Sequence, residues 1–304
     1  MDLAPMKAPD IRFDRLVPRA LVDRGDTTTV LITDWHADGD QLTAGAVWSR
    51  LGGYYTLLDD DIHDPLLVLE TFRQAALLIA HVVDDVPLAT MQIMRSVEFT
   101  TTRSGLAVTA EPTEVTAVLT TERQGRDRQS ILQTGISLRH YRGGALIARG
   151  SGRAVVPPDD RYLRVRGRDP GEVVPSRAGM GPSVEPRRAG RLLERDVVIS
   201  PGTAAGHFHL RVDPEHPNFF DNPTDHTPGM LLTEAMRQAA VVASGDPHYT
   251  PLALSVQFFR FVELDAPADV SVRPGPDGLH TEVRQFDRVT ARANWSTVGA
   301  PWTI

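Results

Sequence analysis

A chain of 304 residues, 41% hydrophobic and 23% charged, can build one large core or two ordinary ones. Its formal net charge of −7 argues against a broad polyanion-binding surface, so nucleic acid is not an expected partner. The absence of cysteine removes thiolate nucleophiles, thiolate metal sites and disulfides together, so any acyl transfer must avoid a Cys-bound intermediate.

Residues 1–24 mix Asp2, Lys7, Asp10, Arg12 and Arg15 with short apolar pieces and lack the continuous apolar stretch of a signal peptide. The most apolar later run, 66–83, carries Glu70, Arg73 and Gln74 and does not read as a membrane span. A cytoplasmic location without a membrane partner is therefore expected. Strands are expected at 27–33 and 41–49, joined by the polar stretch 34–40, whose acidic spacing does not match a calcium loop. A loop covers 52–64, and Pro65 suits the first turn of a helix over 65–83. That helix is apolar almost all round, the pattern of a buried element. Strands follow at 91–101, at 107–119 with a break at Pro112, and at 129–140. Arg142-Gly143-Gly144 then turns the chain into a strand at 145–156. One buried helix among antiparallel strands is an α+β pattern in which a sheet wraps a helix.

From 157 to 190 the composition shifts to Pro, Gly and Arg, which helix interiors and central strands tolerate poorly. This segment is expected to connect two lobes, 1–156 and 191–304. Arg161, Arg164, Arg166, Arg168, Arg177, Arg187, Arg188 and Arg191 read as a solvated face or, being so numerous, as the lining of an anion site. The second lobe repeats the first: strands at 192–200 and 207–212, a helix over 229–244, and strands at 252–262, 269–273, 281–285 and 289–297. Phe258 answers Phe99 and Pro274 answers Pro112.

The densest chemistry is in Pro228-Gly-Met-Leu-Leu-Thr-Glu-Ala-Met-Arg-Gln-Ala-Ala240, where Glu234, Arg237 and Gln238 share one helix face at i, i+3 and i+4. Glu70, Arg73 and Gln74 recur in the same spacing within Leu67-Val-Leu-Glu-Thr-Phe-Arg-Gln-Ala-Ala76. Glu234 lies 164 residues after Glu70, which implies internal duplication. Burial in an apolar helix raises a carboxylate's pKa toward the range of a general base, while the arginines oppose that shift. An i,i+3 Glu–Arg pair is also an ordinary helix ion pair, worth about 0.2–0.5 kcal/mol. The free N–H groups at Gly229 and Met230 would suit an oxyanion. His207, His209, His216 and His226 lack a well-spaced acidic or thiolate co-ligand, so zinc is not expected. His226 reads as a residue of the helix start that binds substrate or holds the loop, and Phe219 and Phe220 as core or tunnel wall.

With His216-Pro-Asn-Phe-Phe-Asp-Asn-Pro-Thr-Asp-His226 leading into that helix, and 64–76 matching in the first lobe, the chain resembles the A-factor biosynthesis (AfsA-like) hot-dog family. The β-hydroxyacyl carrier-protein dehydratases are a more distant resemblance, from which the chain departs by placing Arg before Gln and by a longer spacing from His216 to Glu234. The first resemblance implies a double hot-dog: two antiparallel sheets, each wrapped around one central buried helix. It implies an acyltransferase that moves a β-ketoacyl group from acyl carrier protein to the hydroxyl of dihydroxyacetone phosphate. The ester would then condense to a butenolide phosphate, a precursor of γ-butyrolactone-type signals of actinobacteria.

The resemblance further implies a site divided between lobes, with Glu70 as base and Arg237 contacting phosphate or carbonyl. Glu234 is the competing base, and Arg73, Gln74, His226, Gly229, Met230, Gln238 and Phe220 are substrate-binding candidates. No cofactor or metal is implied, and either a monomer or a homodimer would serve. A dehydratase or thioesterase of carrier-bound substrates and a non-enzymatic acyl-ligand module are the alternative readings.

Overall fold

Alternation of apolar and polar side chains builds the strands, most regularly in Leu132–Arg142, where burial switches at nearly every residue. The computed structural model describes residues 10–50, 53–58, 61–88, 90–126, 132–169 and 180–298. The first lobe runs β1 (Ile32–Asp38), β2 (Gln41–Trp48), α1 (Leu66–Val82), β3 (Ile93–Thr101), β4 (Thr113–Arg126), β5 (Leu132–Arg142) and β6 (Ala145–Val156). After α2 (Asp159–Arg166), the second lobe repeats this order. It runs β7 (Ile199–Pro201), β8 (His207–Leu210), α3 (Gly229–Ser244), β9 (Ala253–Phe258), β10 (Asp269–Gly275), β11 (Gly278–Gln285) and β12 (Arg288–Ser296).

The strand order is β1-β2-β4-β5-β6-β3-β9-β12-β11-β10-β8-β7, so each strand and its repeat sit at matching distances from the centre. At that centre β3 and β9 pair antiparallel, from Ser96↔Gln257 to Thr100↔Ala253. The expected double hot-dog is present, with its two sheets fused edge to edge into one of twelve strands. Helix α1 packs on β1 to β5 and α3 on β7, β8 and β10 to β12. Their apolar faces supply Leu66, Leu69, Phe72, Leu78, Leu231, Leu232 and Met236 to one continuous core. Gly152 on β6 makes room for this packing, since a Cβ there would fall 2.7 Å from the Phe72 ring.

Several boundaries differ from the expected ones. Residues 27–29 and 194–196 are not strand but 3₁₀ turns, because the backbone curls there to offer Thr29 O and Asp196 O to buried glutamines. Asp34, Trp35 and His36 lie within β1, and the turn is confined to Gly39 and Asp40. Strand β4 begins only after Pro112, which has no N–H for the ladder. Pro274 is near the end of β10, opposite Leu279, so it does not correspond to Pro112.

The connection contains a helix, and two of its arginines are held in ion pairs. Arg166 is buried on Asp225 (3.0 Å) and Glu263 (2.6 Å), and Arg168 binds Glu263 and Asp265. Arg164, Arg187 and Arg188 are exposed, while Arg177 and the expected strand start at 129 lie outside the described residues. No helix among the described residues is long and apolar enough to cross a membrane.

Candidate active site

Helical spacing brings Glu70, Arg73 and Gln74 onto one face of α1, and the fold adds a partner from outside the helix. Glu70 is fully buried and accepts from Arg24 Nη2 (2.5 Å), Gln74 Nε2 (2.7 Å) and Arg73 Nη2 and Nε (both 3.0 Å). Burial alone would raise its pKa, but the guanidinium groups of Arg24 and Arg73 outweigh that and hold it down at about 2. Arg24 follows a 3₁₀ turn, Arg19–Val22, that ends in left-handed Asp23. Gln74 spends its remaining donor on Thr29 O and accepts from Leu31 N, which pins the segment before β1 to the helix.

The second lobe reproduces this arrangement. Glu234 accepts from Arg191 Nε (2.8 Å), from Arg237 Nε and Nη2 (2.7 Å each) and from Gln238 Nε2 (2.7 Å). Burial again pushes its pKa up, while Arg191 and Arg237 prevail and hold it at about 2. Arg191 follows the 3₁₀ turn Pro186–Ala189 and left-handed Gly190, as Arg24 follows its own turn, and lies 167 residues after it. Gln238 bonds Asp196 O and Val198 N, the counterparts of Thr29 and Leu31.

Each cluster is closed by the other lobe. Arg24 Nη1 donates to Asn218 O and pairs with Asp221, whereas Arg191 Nη1 donates to Tyr54 O and pairs with Asp64. Asn218 lies 164 residues after Tyr54, the same offset as the helices. The Arg191 guanidinium stacks 4.3 Å from the Tyr54 ring, and that ring meets His216 and Phe219 edge-on. Tyr55 stands beside Asn218 and the Glu70 cluster, and burial raises the pKa of both tyrosines. At this junction Tyr54 Oη, Arg24 Nε, Arg191 Nη2 and His216 Nε2 are buried without a hydrogen-bond partner among the described residues. Such a concentration marks a site rather than ordinary core.

The two halves differ in access. The Arg73 side chain is 19% exposed and that of Arg237 only 3%. With Nε and Nη2 on Glu70, Arg73 keeps Nη1 without a protein hydrogen bond among the described residues. Glu70, expected as base, is held by Arg24 and Arg73, and Arg237, expected to contact phosphate or carbonyl, is held by Glu234 on its own helix, so the two residues of the expected divided site stand in separate clusters. Both glutamates are saturated, ionised carboxylates, which suits neither to take up a proton near neutrality. Gln74 and Gln238, expected to bind substrate, have both amide hydrogens engaged with protein.

The remaining candidates surround the start of α3. Gly229 and Met230 are half-buried, and a Cβ on Gly229 would touch the Phe258 ring at 3.4 Å. His226 Nδ1 is 2.6 Å from Asp225, and its ring lies against Phe261. Phe220 is half-buried against the core. His216 accepts from Asn218 N at Nδ1 and turns Nε2 toward Asp196 at 3.6 Å, an arrangement that holds the loop. His209 is on Asp269 at the surface.

Sequence spacing does not single out Arg24, Tyr54 or Tyr55, it carries Asp64, Asn218 and Asp221 only as members of the two motifs, and it places Arg191 among the arginines of the connection. Their signal was available: a buried carboxylate must be paired and hydrogen-bonded, and Arg24 and Arg191 each follow a Pro-Arg turn upstream of a repeated strand.

The family model described as A-factor biosynthesis hotdog domain matches residues 6–157 and 176–298. The chain belongs to this family. Family relatives named 2-oxo-3-(phosphooxy)propyl 3-oxoalkanoate synthase include one from Streptomyces coelicolor, 35% identical over 88% of this chain and 86% of the relative. Another, from Streptomyces virginiae, is 32% identical over 93% of this chain and 95% of the relative. Among solved structures, the 12:0-ACP thioesterase from Umbellularia californica superposes with a TM-score of 0.54 at 13% identity, covering 86% of this chain and 98% of that one. A MaoC-like dehydratase from Phytophthora capsici gives 0.51 at 9% identity, covering 86% and 96%. At these identities both likenesses concern the fold alone.

Proposed function

We propose that the protein forms a 2-oxo-3-(phosphooxy)propyl 3-oxoalkanoate, the reaction named for its relatives. The 2-oxo-3-(phosphooxy)propyl group is that of dihydroxyacetone phosphate. Its hydroxyl oxygen attacks the thioester carbonyl of a 3-oxoacyl donor carried on acyl carrier protein. A C–O bond forms, the C–S bond breaks, and the hydroxyl proton ends on the departing thiol. The ester then holds an active methylene within reach of a ketone, so ring closure with loss of water gives a butenolide phosphate.

The observation that supports this reading is the partly exposed Arg73 side chain, whose Nη1 has no protein hydrogen bond among the described residues while Nε and Nη2 are held by Glu70. A planar guanidinium suits a multidentate phosphate. Arg24 stays buried behind it, and Glu70 holds both arginines in position. The N–H groups of Gly229 and Met230, which have no partner inside α3, are assigned to the thioester oxyanion. In this reading Glu234 and Arg237 support the fold rather than the chemistry. His226 and Phe220 are kept as contacts of the acyl side, next to the helix start.

Incubation with a 3-oxoacyl thioester, with and without dihydroxyacetone phosphate, tests the proposal by mass spectrometry. The expected product is the phosphorylated ester or its dehydrated ring, formed only with the acceptor present. Release of free 3-oxo acid at the same rate with and without acceptor would refute it.

A further inference from the structure

Resting on the acyl-transfer reading above, we infer that the basic patch formed by Phe259, Arg260, Arg288, Val289 and Arg292 is the docking surface for an acidic face of the carrier protein that bears the acyl donor. These residues line a hollow of about 370 Å³ on a chain of net charge −7, so three arginines there are a pronounced local excess. Arg292 donates to Glu282 (2.8 Å), which Arg284 also binds, and its guanidinium lies 5.8 Å from the Phe259 ring. Arg260 and Arg288 are exposed and make no ion pair among the described residues; Asp287 is the carboxylate next in sequence. Phe259 is 43% exposed, a large aromatic surface among cations. Exposed aromatic and arginine side chains are the residue types that anchor protein interfaces.

Position ties the patch to the site. Phe259 and Arg260 both donate their backbone N–H to Thr290 O (2.8 and 3.3 Å), a bulge that turns neighbouring side chains apart. The ring of Phe258, one residue earlier, packs against Gly229 at the start of α3, and Phe261 packs against His226. The same short segment therefore closes the helix start with Phe258 and Phe261 and presents Phe259 and Arg260 to solvent. The hollow is shallow and none of its five lining residues is buried, so it cannot enclose a small anion. Charges spread over an open rim instead attract and orient a broad acidic surface.

The variant R260E/R288E tests this, because both side chains are exposed and lie outside the proposed reaction site. Transfer to dihydroxyacetone phosphate is compared for three donors with the same 3-oxoacyl group: carrier-bound, pantetheine thioester and coenzyme A thioester. The expected result is a loss of about tenfold in kcat/KM, mainly through KM, with the carrier-bound donor, and a change of less than about twofold with the other two. Equal losses with all three donors, or no loss with the carrier, would overturn the inference. A loss with coenzyme A matching that with the carrier, pantetheine being spared, would also overturn it, since the patch would then read nucleotide phosphates. Fluorescence anisotropy of labelled carrier protein reads the same contact without turnover. A protein inactive with every donor would refute the acyl-transfer reading, while carrier binding weakened by R260E/R288E would still support the dock and unchanged binding would still overturn it.

Discussion

The clusters around Glu70 and Glu234 use the same residues, the same helical spacing and equivalent loop arginines, yet one reaches solvent and the other does not. Arg191, Asp64, Glu234 and Arg237 are sealed between the lobes, whereas the Arg73 side chain is 19% exposed. The difference teaches that duplication preserves a structural device first. Two cations on one buried carboxylate join a loop, a helix and the opposite lobe, and a binding role is an opening left in one copy.

Glu234→Gln should have the largest effect. It leaves Arg237 as a buried charge without its carboxylate and Arg191 with Asp64 alone, at a cost of roughly 3–5 kcal/mol. A thermal scan should show a midpoint lower by on the order of 10 °C. An unchanged midpoint would mean that the sealed cluster contributes nothing to stability.

Arg73→Met should reduce transfer by about 10- to 100-fold, chiefly as a raised KM for dihydroxyacetone phosphate, since a charged hydrogen bond is worth about 1.5–3 kcal/mol. Arg73→Lys should not restore it, because a single ammonium cannot hold Glu70 with two donors and phosphate with another. A KM unaffected in both variants would remove Arg73 from the phosphate site and erase the functional half of the contrast.

Acid should weaken both clusters alike. Each glutamate is held at about 2 in the folded protein against an ordinary value of 4.5, so its folded pKa is depressed. The stability it contributes is complete above 4.5 and is lost as pH falls toward 2. Circular dichroism along an acid titration should place the loss in that window, and the activity profile near neutrality should carry no limb from either group. An activity limb abolished by Glu70→Gln would restore Glu70 as the proton acceptor.

Tyr54→Phe should matter least. The hydroxyl it removes is buried without a hydrogen bond among the described residues, so stability should stay within about 0.5 kcal/mol or rise. A large drop in turnover at unchanged stability would instead draw the sealed side into the chemistry.

The helices were legible because their signals are local. The Pro-Gly start and the apolar run of 229–244 match α3 residue for residue, and helical spacing alone placed Glu, Arg and Gln on one face. The repeat of that spacing also revealed the double lobe. Charge state was not legible, since it depends on Arg24 and Arg191, which arrive from loops 46 and 43 residues away. Burial by itself points toward a raised carboxylate pKa, and the two arginines on each glutamate together reverse the direction. The turns at 27–29 and 194–196 resemble strand in sequence because Thr27, Thr28 and Thr29 are β-branched and because Glu194, Arg195 and Asp196 sit between the apolar pieces 192–193 and 197–199. Their curl answers a glutamine more than forty residues away. The β3–β9 seam was hidden for a related reason: alternation identifies a strand's faces but not the strand it will lie beside.

That seam has a further consequence, for inheritance. Two identical chains paired in this way would carry every substitution on both sides of their axis, so opening one cluster would open the other. Here the two sides are joined through Ser96↔Gln257 to Thr100↔Ala253 within a single polypeptide, and each copy mutates alone. One lobe can remain a keystone while its twin is remodelled around a new substrate.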